Sequence, residues 1–382
     1  MNQKITYQAA RAVAATIEDH FARHLAAAQL RGETALAPHP QAQAIEAIVD
    51  AAFWASLLRE EGISPKISLA YLPPRQAEQP MLFEQRLPLT PDILTKLAPA
   101  VERPGIHLGV WSEDGTLYIW GTTRKIPSIC FVLEVVEPGL LVIKHRRIAR
   151  YGKFANVAVL KGEQVKVVDG NSNSTTDSSD LLTSMLGFTT PAPSSRDHAA
   201  NVLIQLAVSM RNHGRGGSLL IVPAGSTAWQ HSIIHPIPYA VAPAFNGLAD
   251  LLNQSTQEIG STQWQSRVQR TVDAISGLTA VDGATIISDR YELLAFGAKI
   301  GRPEGNVPVA QILISEPIVG DAAAVVHPAQ LGGTRHLSAA QFAHDQHDAL
   351  ALVASQDGRF TVFSWSAAQE VVSAHRIDTL LL

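Results

Sequence analysis

The chain has 382 residues, a length that predicts about two domains at roughly 100–200 residues each. Hydrophobic residues make up 46% and charged residues 17%, which excludes disorder along the whole chain. The formal net charge of −4 argues against a general nucleic-acid binder. No run reaches the ~20 apolar residues that span a bilayer. Residues 1–11 have no long apolar core, so we expect no secretion signal there. The chain has one cysteine, Cys130, which excludes an intrachain disulfide and suits a reducing compartment. We therefore expect a cytoplasmic protein, and the lack of a long apolar run predicts no membrane contact.

The first half of the chain predicts two helices followed by a mostly antiparallel sheet. Apolar residues at helical spacing indicate helices over 7–30 and 42–61. Asp114-Gly115 lies between two apolar runs, which is a strong signal for a hairpin. Further strands are expected at 129–136, 140–145, 157–160 and 165–168. Residues 1–190 are therefore interpreted as an α+β domain.

The second half alternates between helical and extended patterns. The polar tract 169–180 and the prolines at 191 and 193 indicate a loop and a domain boundary, so the second domain covers 191–382. This mixture predicts an α/β domain with a mixed sheet flanked by helices. The expected elements are helices at 198–212, 244–252 and 262–276, a strand at 218–223, and hairpins over 284–296 and 349–363.

A first candidate site lies at Asp282-Gly283-Ala284, directly before an apolar run. An aspartate at the mouth of a strand can hold Mg²⁺ or Mn²⁺ against phosphate oxygens. Gly283 would let a ligand approach the backbone closely. The alternative is an ordinary Asp-Gly turn without a ligand.

A second candidate site lies where Gly332 and Gly333 precede Thr334-Arg335-His336 and an Ala-rich helical pattern. Backbone N–H groups at a helix N-terminus favour anions, and Arg335 adds a forked cationic donor. His336 could move a proton or ligate a metal. The alternative is a plain capped start of a helix.

Together these two segments, about 50 residues apart, resemble the two signature motifs of the diadenylate cyclase family. That family carries Asp-Gly-Ala on a strand and Gly-Thr-Arg-His-Arg before a helix. The likeness covers about 197–363, including the run Asp348–Ser355, which is similar to a family strand that ends in a serine near phosphate.

The resemblance implies a diadenylate cyclase fold, a substrate and a mechanism. Each domain would bind one ATP with Mg²⁺ or Mn²⁺, and a homo-oligomer would bring two domains face to face. Each 3′-OH would then attack the α-phosphate of the opposite ATP, giving cyclic di-AMP and two pyrophosphates. The implied catalytic residues are Asp282, Arg335 and His336, of which Asp282 and His336 would bind the metal, and the implied nucleotide contacts are Gly283, Ala284, Gly333, Thr334 and Ser355.

One position departs from the family pattern. Leu337 stands where the family has a second arginine after the histidine, and a buried charge-assisted contact of that kind contributes on the order of 1.5–3 kcal/mol. Arg215 and Arg302 are candidates to compensate for it. The alternative function is a catalytically inactive sensor of the same fold that still binds nucleotide.

The first half of the chain, above all 107–121 and the strands after it, resembles the sensor domains called DACNV that are fused to such cyclases. This likeness implies regulation by an unidentified small molecule or protein. Trp111, Tyr118 and Trp120 either line a ligand pocket there or pack across strands.

Three further patterns carry weaker hypotheses. Two histidines, at 344 and 347, lie close to Asp348 and form either a metal site or a polar helix face and turn. The basic run 144–147, with Arg150 and Lys153, binds nucleic acid or an anionic ligand, or is a solvated strand end. The glycine-rich stretch 214–217 cradles a phosphate or is a flexible connection.

Overall fold

A computed structural model describes residues 6–147, 154–168, 195–253 and 262–382, with the backbone alone for 195–201 and 262. The chain divides into two compact units, Met1–Val168 and Asp169–Leu382. The boundary predicted at 190/191 and the polar tract 169–180 lie outside the described residues, as do Arg150 and Lys153.

The first unit places three helices and one eight-stranded sheet in the part of the chain that is described. The strand order is β2-β4-β3-β1-β5-β6-β7-β8, and every neighbouring pair is antiparallel except β1 with β3. The helices are α1 Gln8–Leu30, α2 Ala42–Leu57 and α3 Pro91–Val101, and the strands are β1 Ile67–Tyr71, β2 Met81–Pro88, β3 His107–Glu113, β4 Thr116–Thr123, β5 Phe131–Glu137, β6 Leu140–Arg146, β7 Phe154–Lys161 and β8 Gln164–Val167.

The predicted α+β pattern of this unit is confirmed, with one helix added. Helix α3 was not predicted. Pro91 is its first residue, where a missing N–H costs nothing. The predicted hairpin is present, and Asp114 (φ 49°) and Gly115 (φ 76°) both adopt the left-handed region that a type I′ turn needs. Cys130 is fully buried, which raises the pKa of its thiol and fits a core residue.

The core of the first unit lies between its helices and the sheet. Ile17 and Phe21 of α1, with Ile45 and Ile48 of α2, are at most 1% exposed and pack in one apolar cluster with β5 and β6. Full burial of each such side chain contributes about 1.5–3 kcal/mol, so the helical spacing of these residues fixes both helices on the sheet.

The second unit contains a nine-stranded mixed sheet and four helices in its described part. The strand order is β10-β12-β11-β9-β15-β16-β17-β13-β14. The helices are α4 Ser195–Asn212, α5 Gly247–Leu252, α6 Thr262–Leu278 and α7 Thr334–Asp345, and the strands are β9 Gly217–Val222, β10 Tyr239–Phe245, β11 Ala284–Ser288, β12 Leu293–Ala298, β13 Ile312–Ser315, β14 Ala324–Val326, β15 Leu350–Ala354, β16 Phe360–Ser366 and β17 Val371–Arg376.

Strand β9 is central: it pairs in parallel with β11 and antiparallel with β15. Helices cover both faces of the sheet. Alternate residues of β9 show this, because Leu219 and Ile221 pack with α4 and α6, whereas Leu220 and Val222 pack in the cluster that contains Phe342 of α7. This confirms the predicted mixed sheet flanked by helices.

Several elements of the second unit differ from the sequence prediction. The helix expected at 244–252 begins at Gly247, because Tyr239–Phe245 instead pairs with β12. Strands β13, β14 and β17 were not predicted. Two of them are short, since β14 has three residues at the sheet edge and β13 has four beside it. None of the described helices combines the length and apolar character needed to cross a membrane.

Candidate functional site

The two predicted motifs of the second unit lie at the same end of the sheet. Ala284 pairs with Ser218, and Ala354 pairs with Gly217. Pairing ends at these residues. Asp282 lies two residues before β11, Gly216 one residue before β9, and Ser355 one residue after β15, so all three lie at the same end of the sheet. Neighbouring strands are about 4.8 Å apart, which brings these three strand ends close together. We call Asp282, Gly216 and Ser355 the strand-end row.

Arg335 reaches this row from helix α7. A Cβ atom built on Gly216 would lie 3.0 Å from Arg335 Nη1 and 3.2 Å from the carbonyl oxygen of Ala354. The guanidinium therefore lies over the backbone of Gly216, and glycine is the residue that leaves it room. The half-buried Arg335 thus lies beside Gly216 of the strand-end row, and its contact with phosphate stays a prediction.

The N-terminus of α7 opens at the same end of the sheet. Gly333 is its N-cap, and no side chain caps the free backbone N–H groups. Gly333 and Thr334 are exposed, and a Cβ on Gly333 would meet nothing within 4 Å. A twelve-residue helix that begins in open space beside an arginine is suited to bind an anion.

Asp282 presents an open carboxylate. Its side chain is 90% exposed, and Lys299 Nζ lies 4.0 Å from its Oδ2. An exposed pair at this distance holds the carboxylate only weakly. The carboxylate thus remains available to a ligand.

Gly283 has a structural reason to be glycine that the sequence did not show. Its φ is 109°, and a Cβ there would lie 2.4 Å from the carbonyl carbon of Gly297 on β12. The backbone that approaches Gly283 is thus that of β12, and contact with a nucleotide stays a prediction. Ala284 is 2% exposed and belongs to the core behind the row, so its nucleotide contact also stays a prediction.

His336 is 5% exposed, and its ring meets Phe363 edge-on at 6.1 Å between centroids. A Cβ on Gly332 would lie 2.7 Å from the ring Nδ1, so the ring packs directly against this glycine. Burial lowers the pKa of His336, an effect that the Asp357 carboxylate opposes, and the ring is neutral at pH 7. Direct contact with a metal or a phosphate would require the ring to leave this packing.

The hydroxyl of Ser355 is engaged in the turn between β15 and β16. It accepts a hydrogen bond from the backbone N–H of Arg359 at 3.1 Å and contacts the carboxylate of Asp357. A phosphate contact through this hydroxyl, which stays a prediction, would have to replace the contact with Asp357.

Three polar residues at the same end were missed as a group by sequence reasoning. Arg215 precedes Gly216, and its carbonyl accepts a hydrogen bond from Gln356 Nε2 at 3.3 Å. Lys299 lies beside Asp282. The glycine-rich stretch 214–217 and Arg215 were the sequence signals for this position. Arg215 directly precedes Gly216, and its compensation for Leu337 stays a prediction.

The weaker candidates are engaged elsewhere. His344 lies on α7 with its Nδ1 3.2 Å from Asp345, whereas His347 lies in the turn after the helix and stacks on Trp365 at 4.0 Å. In the basic run, Lys144 pairs with Glu134 at 2.7 Å, and Arg146 donates to a backbone carbonyl. These contacts engage Lys144 and Arg146 within the first unit.

The first unit contains a cleft of about 1180 Å³ between α2 and the β3–β4 hairpin. Three aromatic residues line it: Trp54, Tyr71 and Trp111, the last two with ring centroids 4.9 Å apart. The buried Nε1 of Trp54 has no hydrogen-bond partner among the described residues. Trp120 instead packs in the core and donates to the Leu72 carbonyl, so the three predicted aromatic residues serve different roles.

Residues 34–124 match the family described as the probable sensor domain DACNV. Every residue that lines the cleft falls within this range, from His39 to Leu117. The predicted resemblance of the first half to this sensor family is confirmed. A comparison with curated proteins returned no match. The likeness of the second unit to diadenylate cyclases stays a prediction.

Proposed function

We propose that the second unit is a diadenylate cyclase, which joins two ATP molecules into cyclic di-AMP and is regulated by the sensor unit before it. The observation that supports the proposal is that Asp282 and Arg335, 53 positions apart in sequence, lie at the same end of the sheet, Arg335 against Gly216 and Asp282 just before β11. A carboxylate, a guanidinium and an uncapped helix N-terminus at one strand end are the groups that a nucleoside triphosphate needs.

The geometry supports different roles for the groups of the site. Arg335 and the first N–H groups of α7 would hold the phosphates, while Asp282 would lie near the attacking 3′-OH. Phosphoryl transfer depends mainly on positioning and on neutralising charge, which these groups supply. In each half-reaction an O–P bond forms at the α-phosphate and the bond to pyrophosphate breaks.

The residues fit a hard divalent cation. Mg²⁺ typically binds one or two carboxylates and completes its shell with phosphates and water, and Asp282 offers one open carboxylate. When bound, Mg²⁺ or Mn²⁺ would neutralise phosphate charge at the strand-end row. His336 is placed less well for this role because its ring is buried against Gly332.

Incubation of the full chain with ATP and Mn²⁺ or Mg²⁺, followed by mass spectrometry, tests the proposal. We expect cyclic di-AMP and pyrophosphate in a 1:2 ratio. The rate per chain should rise with protein concentration, because each site holds one ATP and the product needs two sites facing each other. A folded, dimeric protein that releases neither product at any concentration would refute the cyclase.

A second function, an inactive nucleotide-binding sensor, is favoured by Leu337. This side chain is 41% exposed near the N-terminus of α7, where the family carries an arginine. Tight binding of ATP or cyclic di-AMP without turnover, measured by calorimetry, would support this function over the cyclase.

The Leu337→Arg variant is expected to raise the rate of product formation by about two- to fivefold. The increase is modest because an arginine at this exposed position adds a solvent-screened contact of roughly 0.2–1 kcal/mol. The measurement is the initial rate at saturating ATP, with Leu337→Gln as the uncharged control. A loss of activity in Leu337→Arg but not in Leu337→Gln would show that a positive charge here does not face phosphate.

We propose that the regulatory ligand binds in the aromatic cleft of the first unit. The cleft suits a flat ligand with a hydrogen-bond acceptor that accepts from Trp54 Nε1. Ala47 is an exposed residue of α2 that lines the cleft, so Ala47→Trp would fill it without disturbing the core. We expect the rate of product formation to change about fivefold or more, the size of ordinary coupling between sites. Lys96→Trp, on α3 outside the cleft lining, is the control. Equal rates of product formation in both variants would show that the cleft does not regulate the second unit.

A further inference from the structure

Three histidines of the first unit meet at one point between helix α1 and strand β6. His20 and His24 lie one turn apart on α1, and His145 lies near the end of β6. One ring nitrogen from each lies within 4.8 Å of the other two. The three residues fall outside the sensor match at 34–124, so that match assigns them no role.

Two of the imidazoles are oriented with one nitrogen held by the backbone. His24 Nδ1 lies 2.8 Å from the carbonyl oxygen of His20, and His145 Nδ1 lies 3.2 Å from that of Arg146. Because a carbonyl oxygen only accepts, each Nδ1 must carry the proton. Each Nε2 is then left with a lone pair, and a backbone bond of this kind is what usually orients metal-binding histidines.

The third imidazole has an unexplained polar atom. His20 is 7% exposed, and its buried Nε2 has no hydrogen-bond partner among the described residues. A buried polar atom without a partner costs roughly 1–3 kcal/mol, so its retention calls for a ligand or a water. The ring stacks on His24 at 4.0 Å between centroids, which places this atom in the histidine cluster.

The electrostatics of the cluster favour neutral rings. Burial lowers the pKa of His20 to about 3 and that of His145 to about 4, and in each case a neighbouring histidine lowers it further. Arg23 and Arg147 add to the same effect.

We propose that His20, His24 and His145 form a binding site for a divalent transition metal such as Zn²⁺, with the fourth position open. Imidazole suits Zn²⁺ far better than Mg²⁺, and three histidines plus one open position form a known tetrahedral site type. Zn–N bonds of about 2.0–2.1 Å imply nitrogens about 3.3 Å apart, so the three nitrogens, now within 4.8 Å, must move closer. The stacked rings of His20 and His24 must also turn, because their lone pairs lie in the ring planes. The half-buried His24 forms the solvent side of the site.

A bound ion would tie α1 to the sheet, because two ligands come from the helix and one from β6. This goes beyond the proposed cyclase and does not depend on it. Zn²⁺ binding is measured without ATP, so a failed cyclase assay leaves the metal result standing.

The test is a titration of the full-length, tag-free protein with Zn²⁺ against a chromogenic chelator, in excess Mg²⁺ to occupy carboxylate sites. We expect one site per chain, weakened at least about tenfold in His24→Ala. His39→Ala is the matched control, since His39 is an exposed histidine of the same unit. Equal Zn²⁺ affinity in the wild type and His24→Ala would overturn the proposal.

A second readout covers variants that fold poorly. Zn²⁺ should slow hydrogen exchange in wild-type peptides that contain 20–24 and 140–147, and Co²⁺ should give the intense visible bands of a four-coordinate site. Protection confined to other peptides, or an octahedral Co²⁺ spectrum, would also overturn the proposal.

Discussion

The Asp282→Asn variant is expected to form cyclic di-AMP at least about 100-fold more slowly than the wild type, the size of losing one preorganised electrostatic contact. The amide keeps the volume of the side chain but loses the charge that holds a divalent cation against phosphate. The Asp282 side chain is 90% exposed, so the free energy of unfolding should stay unchanged. Product formation by mass spectrometry and the thermal transition by circular dichroism check both parts.

Glu370→Gln is the matched control for this variant. Glu370 is another exposed carboxylate of the second unit, in the turn between β16 and β17. Because β16 starts beside Ala354 and runs away from it, that turn lies at the opposite end of the sheet. We expect wild-type rates from Glu370→Gln. Full activity in Asp282→Asn would show that Asp282 is not part of the active site.

The Arg335→Ala variant is expected to lower the rate of product formation about 10- to 100-fold. A charge-assisted hydrogen bond contributes roughly 1.5–3 kcal/mol, and Arg335 is the half-buried cation over the strand-end row. The loss should appear in kcat/KM for ATP, measured by pyrophosphate release. A rate within a factor of two of the wild type would contradict the role of Arg335 in holding phosphate.

A pair of glycine variants tests the position of Arg335 without removing its charge. Gly216 (φ 70°) and Gly214 (φ 64°) have similar left-handed backbones, so alanine costs about 1 kcal/mol at either position. A Cβ on Gly216 meets Arg335 Nη1 at 3.0 Å, whereas a Cβ on Gly214 meets nothing within 4 Å. We expect Gly216→Ala to lose more activity than Gly214→Ala. Equal activity of the two variants would show that activity does not depend on the room that Gly216 leaves for Arg335.

Local patterns predicted much of the fold because they act over short stretches of chain. Helical spacing located α1 and α2, and the Asp114-Gly115 turn located the β3–β4 hairpin. Patterns failed where long-range pairing decides the element. Tyr239–Phe245 reads as ordinary apolar sequence and becomes a strand because β12 lies beside it.

The two motifs of the candidate site could be predicted from the sequence, but their placement at one end of the sheet could not. Asp282 and Arg335 stand out because each belongs to a short motif. Gly216 belongs to the glycine-rich stretch 214–217, but nothing local shows that it shares one end of the sheet with the two motifs, which follows from the pairing of β9 with β11 and β15. The histidine cluster was missed for the same reason, since His145 lies 121 positions after His24 and nothing local joins them.

The strand-end row is aligned by main-chain hydrogen bonds between β11, β9 and β15, with side-chain packing in a supporting role. Slipping one strand by a single residue would turn its side chains to the other face and misalign the row, so intermediate geometries are excluded. Core substitutions distant from the row should therefore change the fraction of molecules whose site is aligned. They should not change the rate of product formation by each aligned molecule. Active-site titration would then count native chains in a destabilised preparation.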